Sequence, residues 1–475
     1  MANSILSSAK KAKNDEFRNQ YDDVEKENDT LEVKEPQLDI LFYPKTTVKE
    51  NGGEKNETLN VLSLFSGCGG MDLGFEGGFS VLQQSINEIL TPDFIDKKLK
   101  NGFIQLKKTK FKTVFANDIL IDARNAWVNY FSKKGHNAED FYKDSIVDLV
   151  KMYRNGVNVF PEHVDVVTGG FPCQDFSIAG KRNGFTSHKN HKGDVIEKET
   201  ASAETRGQLY MWMKEVVEIT QPKIFIAENV KGLVNLGDVK SIIQNDFSSA
   251  NGNGYIVLDP QVLHSANFGV SQSRERVIFI GIKKSALKKS ALAELEKGII
   301  SEQYNPYPKP THSYNVEGEN LKPFVQLKDV FKHLDEPENT EDLSQRFYSK
   351  AKFMGRHCQG QTEIKLSNIS PTIRSEHHGN IEFRRLSKEN GGKIERELNI
   401  GLEERRLTVR ECALIQTFPP DYDFVIENKN GRKGSFLVSP SQAYKIIGNA
   451  VPPLLAYNLA KRIEDIWDLY FKKQE

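Results

Sequence analysis

The stretch from Val164 to Gly180, VDVVTGGFPCQDFSIAG, carries the strongest functional signal in the chain. It opens with an apolar, β-branched run that two glycines follow directly, which predicts a buried strand running into a tight loop. Loops at strand ends are where α/β folds place their chemistry. Pro172 fixes its own backbone angle and favours an extended Phe171, so Cys173 stands on a stiff turn. A lone cysteine is usually a small core residue, but this setting predicts a nucleophile.

Composition narrows the class of protein. The chain has 475 residues, enough for one large domain and a smaller one, and 65 basic residues balance 65 acidic ones. A neutral chain can still bind nucleic acid through a local basic cleft. The four cysteines form no CxxC pair, which argues against a zinc site and a disulfide framework and for a reducing compartment. No apolar run reaches the ~20 residues of a membrane span, and the N-terminus lacks a signal peptide's apolar core, so we expect a cytoplasmic protein.

Further blocks with recognisable chemistry lie on both sides of this stretch. A strand from Asn60 leads into FSGCGGMDLGF, which is similar to a dinucleotide-binding turn, except that Asp72 stands where the third glycine would be. Many tight strand-to-helix turns share that pattern. Glu228 ends the buried run KIFIAENV, so it either faces the same pocket as Cys173 or is an ordinary surface residue at a strand end. Arg274 and Arg276 alternate along an extended chain and therefore share a face.

These blocks together resemble the C5-cytosine DNA methyltransferases. GGFPCQDFS resembles the Pro-Cys signature of that family, and the glycine loop, ENV, QSRER and GNAVPP follow the family's order over all but the N-terminal tail. Ser271 replaces the family's usual proline before QSRER. The resemblance implies an α/β fold: a Rossmann-like, S-adenosylmethionine-dependent methyltransferase domain with a smaller, irregular target-recognition domain.

The same resemblance implies the cofactor site, with S-adenosyl-L-homocysteine as the product and no metal. Phe65 would pack on the adenine, Asp118 would bind the ribose hydroxyls, Asp144 would accept the adenine amino group, and Asn449 would lie near the methionine end. The remaining expected cofactor contacts are Gly67, Cys68, Gly70, Ile119, Pro172, Leu209 and Ala450.

Two of these cofactor assignments also have a reading from the residues alone. Asp118 follows the predicted strand from Lys112 to Ala116, about 50 residues after the glycine loop against ~20 in a plain dinucleotide-binding unit. The excess is the charged segment 91–110, which we interpret as a surface insertion. For Asp144, the alternative role is a plain helix N-cap.

For catalysis, the resemblance makes Cys173 the nucleophile and Glu228 the residue that holds the exocyclic amine and protonates N3. Arg276 would bind the O2 side of the cytosine, and Arg274 would support Cys173 or the ring. The polar run 181–204 predicts a loop, and its His188 and His191 fit a solvated loop better than a metal site.

The chain divides into four predicted parts. Residues 1–57 are a charged N-terminal extension, 58–282 the catalytic and cofactor-binding domain, 283–404 the target-recognition domain, and 405–475 a segment returning to the catalytic domain. Periodicity is lost in 283–404, where turns and basic residues such as Arg374, Arg384 and Arg385 could read base edges.

The expected partner is double-stranded DNA, with a cognate restriction endonuclease as a functional partner and the enzyme itself a monomer. Two other functions stay open at this point. One is methylation of tRNA by the same chemistry, and the other is a catalytically silent DNA-binding relative.

Overall fold

A mostly parallel β-sheet lies at the centre of the computed structural model, which describes residues 58–172, 209–235, 238–316, 320–375 and 381–472. The strands are β1 (Leu59–Leu64), β2 (Ser80–Leu82), β3 (Ile95–Lys98), β4 (Phe103–Leu106), β5 (Phe111–Asn117), β6 (Phe141–Tyr142), β7 (Val166–Gly169), β8 (Ile224–Val230), β9 (Tyr255–Val257), β10 (Gln261–His264), β11 (Glu275–Lys283), β12 (His312–Ser313), β13 (Lys322–Pro323), β14 (Phe383–Arg385), β15 (Arg405–Arg406), β16 (Ile426–Glu427) and β17 (Phe436–Val438).

The helices of five or more residues, in chain order, surround this sheet and continue into the C-terminal segment. They are α1 (Gly70–Glu76), α2 (Ile121–Phe131), α3 (Ile146–Arg154), α4 (Leu209–Thr220), α5 (Val239–Ser248), α6 (Lys289–Leu295), α7 (Glu395–Asn399), α8 (Val409–Ile415), α9 (Pro440–Asn449) and α10 (Pro453–Tyr470). Among the described helices, none is long and apolar enough to span a bilayer.

The strand order is β10-β11-β8-β7-β1-β5-β6. The five strands from β8 to β6 pair in parallel. Strand β11 pairs antiparallel with β8 on one side and with β10 on the other. Strands β7 and β8 are buried along almost their whole length, as expected for a parallel sheet whose two faces are both covered. The order reverses at β1, which makes the carboxyl ends of β1 and β7 the point where doubly wound sheets bind their ligands. The predicted α/β, Rossmann-like fold is confirmed.

The C-terminal helix packs directly against the first helix of the described chain. A Cβ atom added to Gly70 would lie 2.2 Å from the Val451 carbonyl oxygen, and one added to Gly74 would lie 2.4 Å from the Cβ of Ala456. Both positions therefore require glycine, because any side chain would push α10 away from α1. Thr408 is the N-cap of helix α8 and forms a capping box with Glu411.

Where the structure describes the segment 283–404, its helices and strands are short, and its first and later parts pack differently. Its first part, with Ala291 and Tyr307, shares an apolar cluster with Ile278 of the sheet and Trp467 of α10. Its later part, with Leu327 and other buried side chains, packs against the C-terminal segment around α8 and α9. The division into a separate target-recognition domain remains a prediction.

Buried arginines tie this later part to the start of the C-terminal segment. Arg385 and Arg405 both pair with Glu336, at 2.6 Å and 3.0 Å, and Arg405 also pairs with Glu411 at 2.9 Å. Arg384 pairs with Glu397. These arginines are buried, so Arg384 and Arg385 stabilise the fold and do not present free guanidinium groups to a base.

Replacing Glu336 by Gln should destabilise the protein, because it leaves two buried guanidinium groups without their shared carboxylate. The expected loss in free energy of unfolding is about 3 kcal/mol, measured by urea denaturation. Burial alone would raise the pKa of Glu336, but hydrogen bonds from Arg385 and Arg405 outweigh it and lower that pKa to about 2. The contribution of Glu336 to stability is therefore complete above pH 4.5 and is lost as pH falls towards 2.

Glu341→Gln is the matched control, because Glu341 is fully exposed and only loosely paired with Arg346 at 3.7 Å. It should leave the urea midpoint unchanged. Equal destabilisation by the two substitutions would show that the buried cluster around Glu336 does not hold the two segments together.

Candidate active site

The predicted site segments converge at one edge of the sheet. The glycine loop follows β1, Asp118 follows β5, Asp144 follows β6, and the Gly170–Pro172 turn follows β7. Glu228 lies near the carboxyl end of β8, on the same edge of the sheet. Because parallel strands present their carboxyl ends together, one pocket can collect groups that are far apart in the sequence.

The glycine loop is held in a tight, partly left-handed conformation. Phe65, Gly67 and Gly69 have φ angles of +52°, +55° and +75°, and a left-handed phenylalanine is uncommon. Ser66 locks the loop to β5, since its backbone N–H donates to the Asn117 carbonyl (2.8 Å) and its hydroxyl accepts from the Asn117 N–H (3.0 Å). Phe65 remains only partly buried, at the rim of the sheet.

Asp118 lies directly against this loop. One carboxylate oxygen accepts a hydrogen bond from the Gly67 N–H at 3.0 Å, and the other accepts from the Leu120 N–H at 2.9 Å. Ile119 beside it is 43% exposed, although it is a large apolar residue. The structure thus sets a carboxylate and an uncovered apolar side chain next to the glycine loop.

Asp144 is exposed at the end of β6, and its side chain does not cap a helix. The N-cap of α3 is Ser145, whose hydroxyl accepts from the Val147 N–H at 3.3 Å. The alternative role proposed for Asp144, a plain N-cap, is therefore filled by its neighbour. The backbone carbonyl of Asp144 accepts from the Asn117 side chain at 2.7 Å, which fixes this turn to β5.

The remaining predicted cofactor residues divide into exposed and buried ones. Asn449 is exposed, and Ala450 is buried where the end of α9 meets Gly70 of α1. The thiol of Cys68 lies in the core, 3.4 Å from the Ile446 carbonyl, and burial raises its pKa well above the ordinary value. Cys68 can therefore offer this edge only its backbone. Leu209 is buried at the start of α4.

The turn before Cys173 is fastened to β8. The Asn229 side chain donates to the Phe171 carbonyl at 3.2 Å, and Phe171 is buried. Pro172 is partly buried at the end of the described turn. Cys173 itself, together with the predicted loop 181–204 and its His188 and His191, lies outside the described residues.

Glu228 and Arg276 form a charged pair at this edge of the sheet. The Arg276 Nε lies 2.8 Å from a carboxylate oxygen of Glu228, and both side chains are largely buried. Glu228 is 7% exposed, and burial raises its pKa although Arg276 and Arg274 act in the opposite direction. A Cβ atom on Gly170 would lie 2.9 Å from the other carboxylate oxygen, so the turn after β7 passes directly over Glu228.

Arg274 has a different position from its neighbour in the same block. Its guanidinium group is 1% exposed and donates to the carbonyls of Ile373 (3.1 Å), Gly448 (2.9 Å) and Ala450 (2.8 Å). It joins the sheet, the segment 283–404 and the C-terminal turn. These contacts show that Arg274 holds backbone segments together, whereas Arg276, two residues further on, pairs with the carboxylate of Glu228.

Several residues that shape the site were not predicted from sequence. Gly170 and Asn229 set the approach of the β7 turn to Glu228, and Asn117 fixes the turn bearing Asp144. In the sequence, Asn229 follows Glu228 and Gly170 lies two residues before Pro172. This closeness to predicted site residues was the only indication that they shape the site. Ser271, which replaces the family's proline, donates its hydroxyl to the Val325 carbonyl at 2.7 Å, so it secures the turn by a hydrogen bond.

The edge as a whole offers carboxylates, backbone amides and a buried acid–arginine pair. It offers no metal cage, since the described residues contain no group of three or more His, Cys, Asp or Glu side chains suited to a metal ion. Such an arrangement can bind a polar ligand with hydroxyl and amino groups and can transfer a proton from Glu228 to a group held by Arg276.

Comparisons with known proteins identify the family of this chain. A family model described as C-5 cytosine-specific DNA methylase matches residues 97–465. The Type II methyltransferase M.BsuRI of Bacillus subtilis is 33% identical over 415 residues, which cover 86% of this chain and 80% of that relative. M.BspRI of Lysinibacillus sphaericus is 32% identical, covering 88% and 84%. M.NgoPII of Neisseria gonorrhoeae is 29% identical, covering 86% and 95%. The chain therefore belongs to the C-5 cytosine-specific DNA methylase family.

Proposed function

We propose that the protein is a DNA (cytosine-5-)-methyltransferase that transfers a methyl group from S-adenosylmethionine to C5 of a cytosine flipped out of a duplex. The observation that carries this proposal is the buried pair of Glu228 and Arg276 at 2.8 Å, directly under the Gly170 turn that leads to the Pro-Cys signature. An acid beside an arginine matches the one edge of a cytosine ring on which the exocyclic amine, N3 and O2 lie in sequence.

The carboxyl edge of the sheet fits S-adenosylmethionine by its chemistry. The exposed Asp144 and the half-exposed Ile119 suit an adenine, which needs an acceptor for its amino group and an apolar neighbour for its face. Asp118 can bind ribose hydroxyls through its carboxylate, and Asn449 is exposed for the amino-acid end. Bound there, the cofactor supplies an electrophilic methyl group.

Cytosine C5 is a weak nucleophile, so the chain must activate the ring. We assign the attack on C6 to the thiolate of Cys173, since thiolates are strong nucleophiles near neutral pH. Glu228 gives a proton to N3 as the C6–S bond forms, which leaves an enamine that is nucleophilic at C5. After the methyl transfer, water takes the C5 proton, and the electron pair of that C–H bond forms the C5–C6 double bond and expels the thiolate from C6. N3 then returns its proton to Glu228, which restores the acid for the next turnover. The base must leave the stack before any of this can occur.

The environment of Glu228 suits that role. Burial raises the pKa of Glu228, so the carboxyl holds its proton more readily than an exposed one and can donate it to N3. Arg276 binds the O2 side and offsets the negative charge that develops during attack. Arg274 keeps the strand entry in place through the carbonyls of the C-terminal turn.

The relatives named above are Type II methyltransferases, which supports a role in protecting DNA against a cognate restriction endonuclease. Sequence choice would come from the segment 283–404, because the other parts bear the shared chemistry. A segment of this size can read only a short target, on the order of four to six base pairs, since each bidentate contact discriminates by about 1–3 kcal/mol. The side chain of Arg374 pairs with Glu382 at 2.8 Å but remains 28% exposed, so it is a better candidate reader than the buried Arg384 and Arg385.

Replacing Cys173 by Ser should abolish methyl transfer while leaving cofactor binding intact, because only the covalent step needs the thiolate. Turnover is measured with labelled S-adenosylmethionine on duplex DNA and on tRNA. With 5-fluorocytosine in the target, wild type should form a stable protein–DNA adduct only in the presence of cofactor, since the final proton loss is blocked.

Cys358→Ser is the control for that substitution, because Cys358 is a partly exposed cysteine outside the predicted site. It should keep wild-type turnover and form the adduct. A Cys173→Ser protein that retains a tenth of wild-type turnover would rule out covalent catalysis, and preferential labelling of tRNA would rule out the DNA substrate.

Replacing Glu228 by Gln should lower kcat on the order of 10²- to 10³-fold, because Gln can hold the amine but cannot protonate N3. In wild type, the rate should fall as pH rises through the raised pKa of Glu228, since the reaction needs the protonated form. That limb of the kcat profile should be missing in the variant.

Glu275→Gln is the neighbouring control, since Glu275 pairs with Lys231 on the surface at 2.8 Å. Its kcat should stay within about twofold of wild type. If Glu228→Gln keeps an unchanged high-pH limb, the proton donor is another group.

Exchanging residues 308–404 with those of a family member of different specificity should transfer the methylated target. The exchange begins after Tyr307, because the preceding residues pack into the sheet and α10. Bisulfite sequencing of a plasmid that carries the gene reports the target. An active chimaera that keeps the host's target would place recognition elsewhere in the chain.

A further inference from the structure

A buried carboxylate lies beneath the glycine loop, and the proposed mechanism does not use it. Asp72 on α1 is 1% exposed. The Ser63 hydroxyl donates to one of its oxygens at 2.5 Å, and the Trp127 indole N–H donates to the other at 2.8 Å. Asp72 thus joins β1 to α2 from inside the core, at the position where a dinucleotide-binding turn would carry glycine.

The hydrogen bonds continue from Ser63 towards the site. The Ser66 hydroxyl donates to the Ser63 hydroxyl at 2.8 Å and accepts from the Asn117 N–H at 3.0 Å. The Asn117 side chain then donates to the carbonyls of Tyr142 at 3.0 Å and Asp144 at 2.7 Å. We call this chain of contacts, Trp127–Asp72–Ser63–Ser66–Asn117, the polar relay.

The polar relay touches the segments after β1, β5 and β6, each of which carries a proposed cofactor contact. Ser66 lies in the glycine loop, Asn117 precedes Asp118, and the last acceptor is the backbone of Asp144. Trp127 bears on the loop a second time, because a Cβ atom on Gly69 would lie 2.6 Å from its ring. The relay therefore determines where these three segments stand relative to one another.

We propose that Asp72 and Asn117 are positioning residues for the methyl donor, acting through the polar relay on the glycine loop and on the turn that bears Asp144. The inference rests on the proposed function, since it names S-adenosylmethionine as the ligand. Neither residue touches the reacting atoms, so both act on cofactor affinity and not on the chemical step.

Asp72 and Asn117 can be tested by isosteric changes that break single links. In Asp72→Asn, the amide has only one acceptor oxygen for the two donors, Ser63 and Trp127. In Asn117→Asp, a carboxylate faces the carbonyls of Tyr142 and Asp144. Each change should raise the calorimetric Kd for S-adenosylmethionine about tenfold, the loss expected for one buried hydrogen bond. The single-turnover rate at saturating cofactor should stay within about threefold of wild type.

Acid pH offers a second measurement. Burial raises the pKa of Asp72 to about 6, against the hydrogen bonds from Ser63 and Trp127. Its other titratable neighbours are Glu76 on α1, His136, Cys68 and Tyr422. The carboxylates of Glu76 and Asp140, 3.0 Å and 3.7 Å from the two ring nitrogens of His136, outweigh burial and raise the pKa of His136 to about 9, so it keeps its charge near pH 6. Wild-type affinity should fall between pH 7 and 5.5, and that fall should be missing in Asp72→Asn.

Asp165→Asn is the matched control. Asp165 accepts from the Asn60 N–H and from Lys223, both at 3.0 Å, on the same sheet but at its amino edge. It should lose stability to urea without losing cofactor affinity. Asp118→Ala provides the benchmark for a direct contact, and Ser63→Ala breaks the relay if Asp72→Asn does not fold.

The outcomes separate the two proposals. Unchanged cofactor Kd in folded Asp72→Asn, Asn117→Asp or Ser63→Ala overturns the positioning role, as does a loss confined to the saturated single-turnover rate. Failure of wild type itself to bind S-adenosylmethionine overturns the proposed function instead. Raised Kd with a preserved saturated rate, together with an unaffected Asp165→Asn, supports the polar relay.

Discussion

The structure depends on how one buried cation is solvated. Arg274 is cut off from water, and backbone carbonyls from Ile373, Gly448 and Ala450 replace the water it would otherwise bind. Burying a guanidinium group without such partners is costly, so the three chain segments must come together for the fold to be stable. Arg276, two residues further on, reaches Glu228 from the start of β11, which this junction and the antiparallel pairing with β8 both hold. The architecture and the candidate catalytic pair thus share one support.

Charge is used in opposite ways in the two halves of the described chain. Near the carboxyl edge of the sheet, burial dominates the charge of the acids: it raises the pKa values of both Glu228 and Asp72, although Arg276 lies beside Glu228. In the later half, Glu336 and Glu411 are surrounded by arginines that hold their pKa values low. The first arrangement suits groups that exchange a proton or respond to one, and the second suits permanent ion pairs between segments.

Sequence patterns predicted the sheet because its parallel strands are rich in apolar residues. They predicted the order of the site segments because the glycine loop, ENV and QSRER blocks have distinctive residues next to those strands. They failed where side-chain partners lie far away in sequence. Arg384 and Arg385 were candidate base readers, yet their carboxylate partners across the fold keep them buried. Arg274 and Arg276 were predicted to share a face, which remains a prediction, and only tertiary contacts decide that one binds carbonyls and the other a carboxylate. The role of Asn117 required the position of Asp144, which a linear pattern does not contain.

The close packing of α1 against α10 has a consequence for how the protein is made. The core beside the glycine loop joins residues as far apart as Cys68 and Ile446, separated by 378 positions. At about 5–20 residues per second, a ribosome needs tens of seconds to connect them. During that interval the side of α1 that packs on α10 stays uncovered, although Phe75 of α1 can already pack on Phe111 of β5, and long-range contacts of this kind are formed slowly. A newly made chain therefore leaves this side of α1 exposed until α10 emerges, and a product truncated before α10 lacks the surface that covers it.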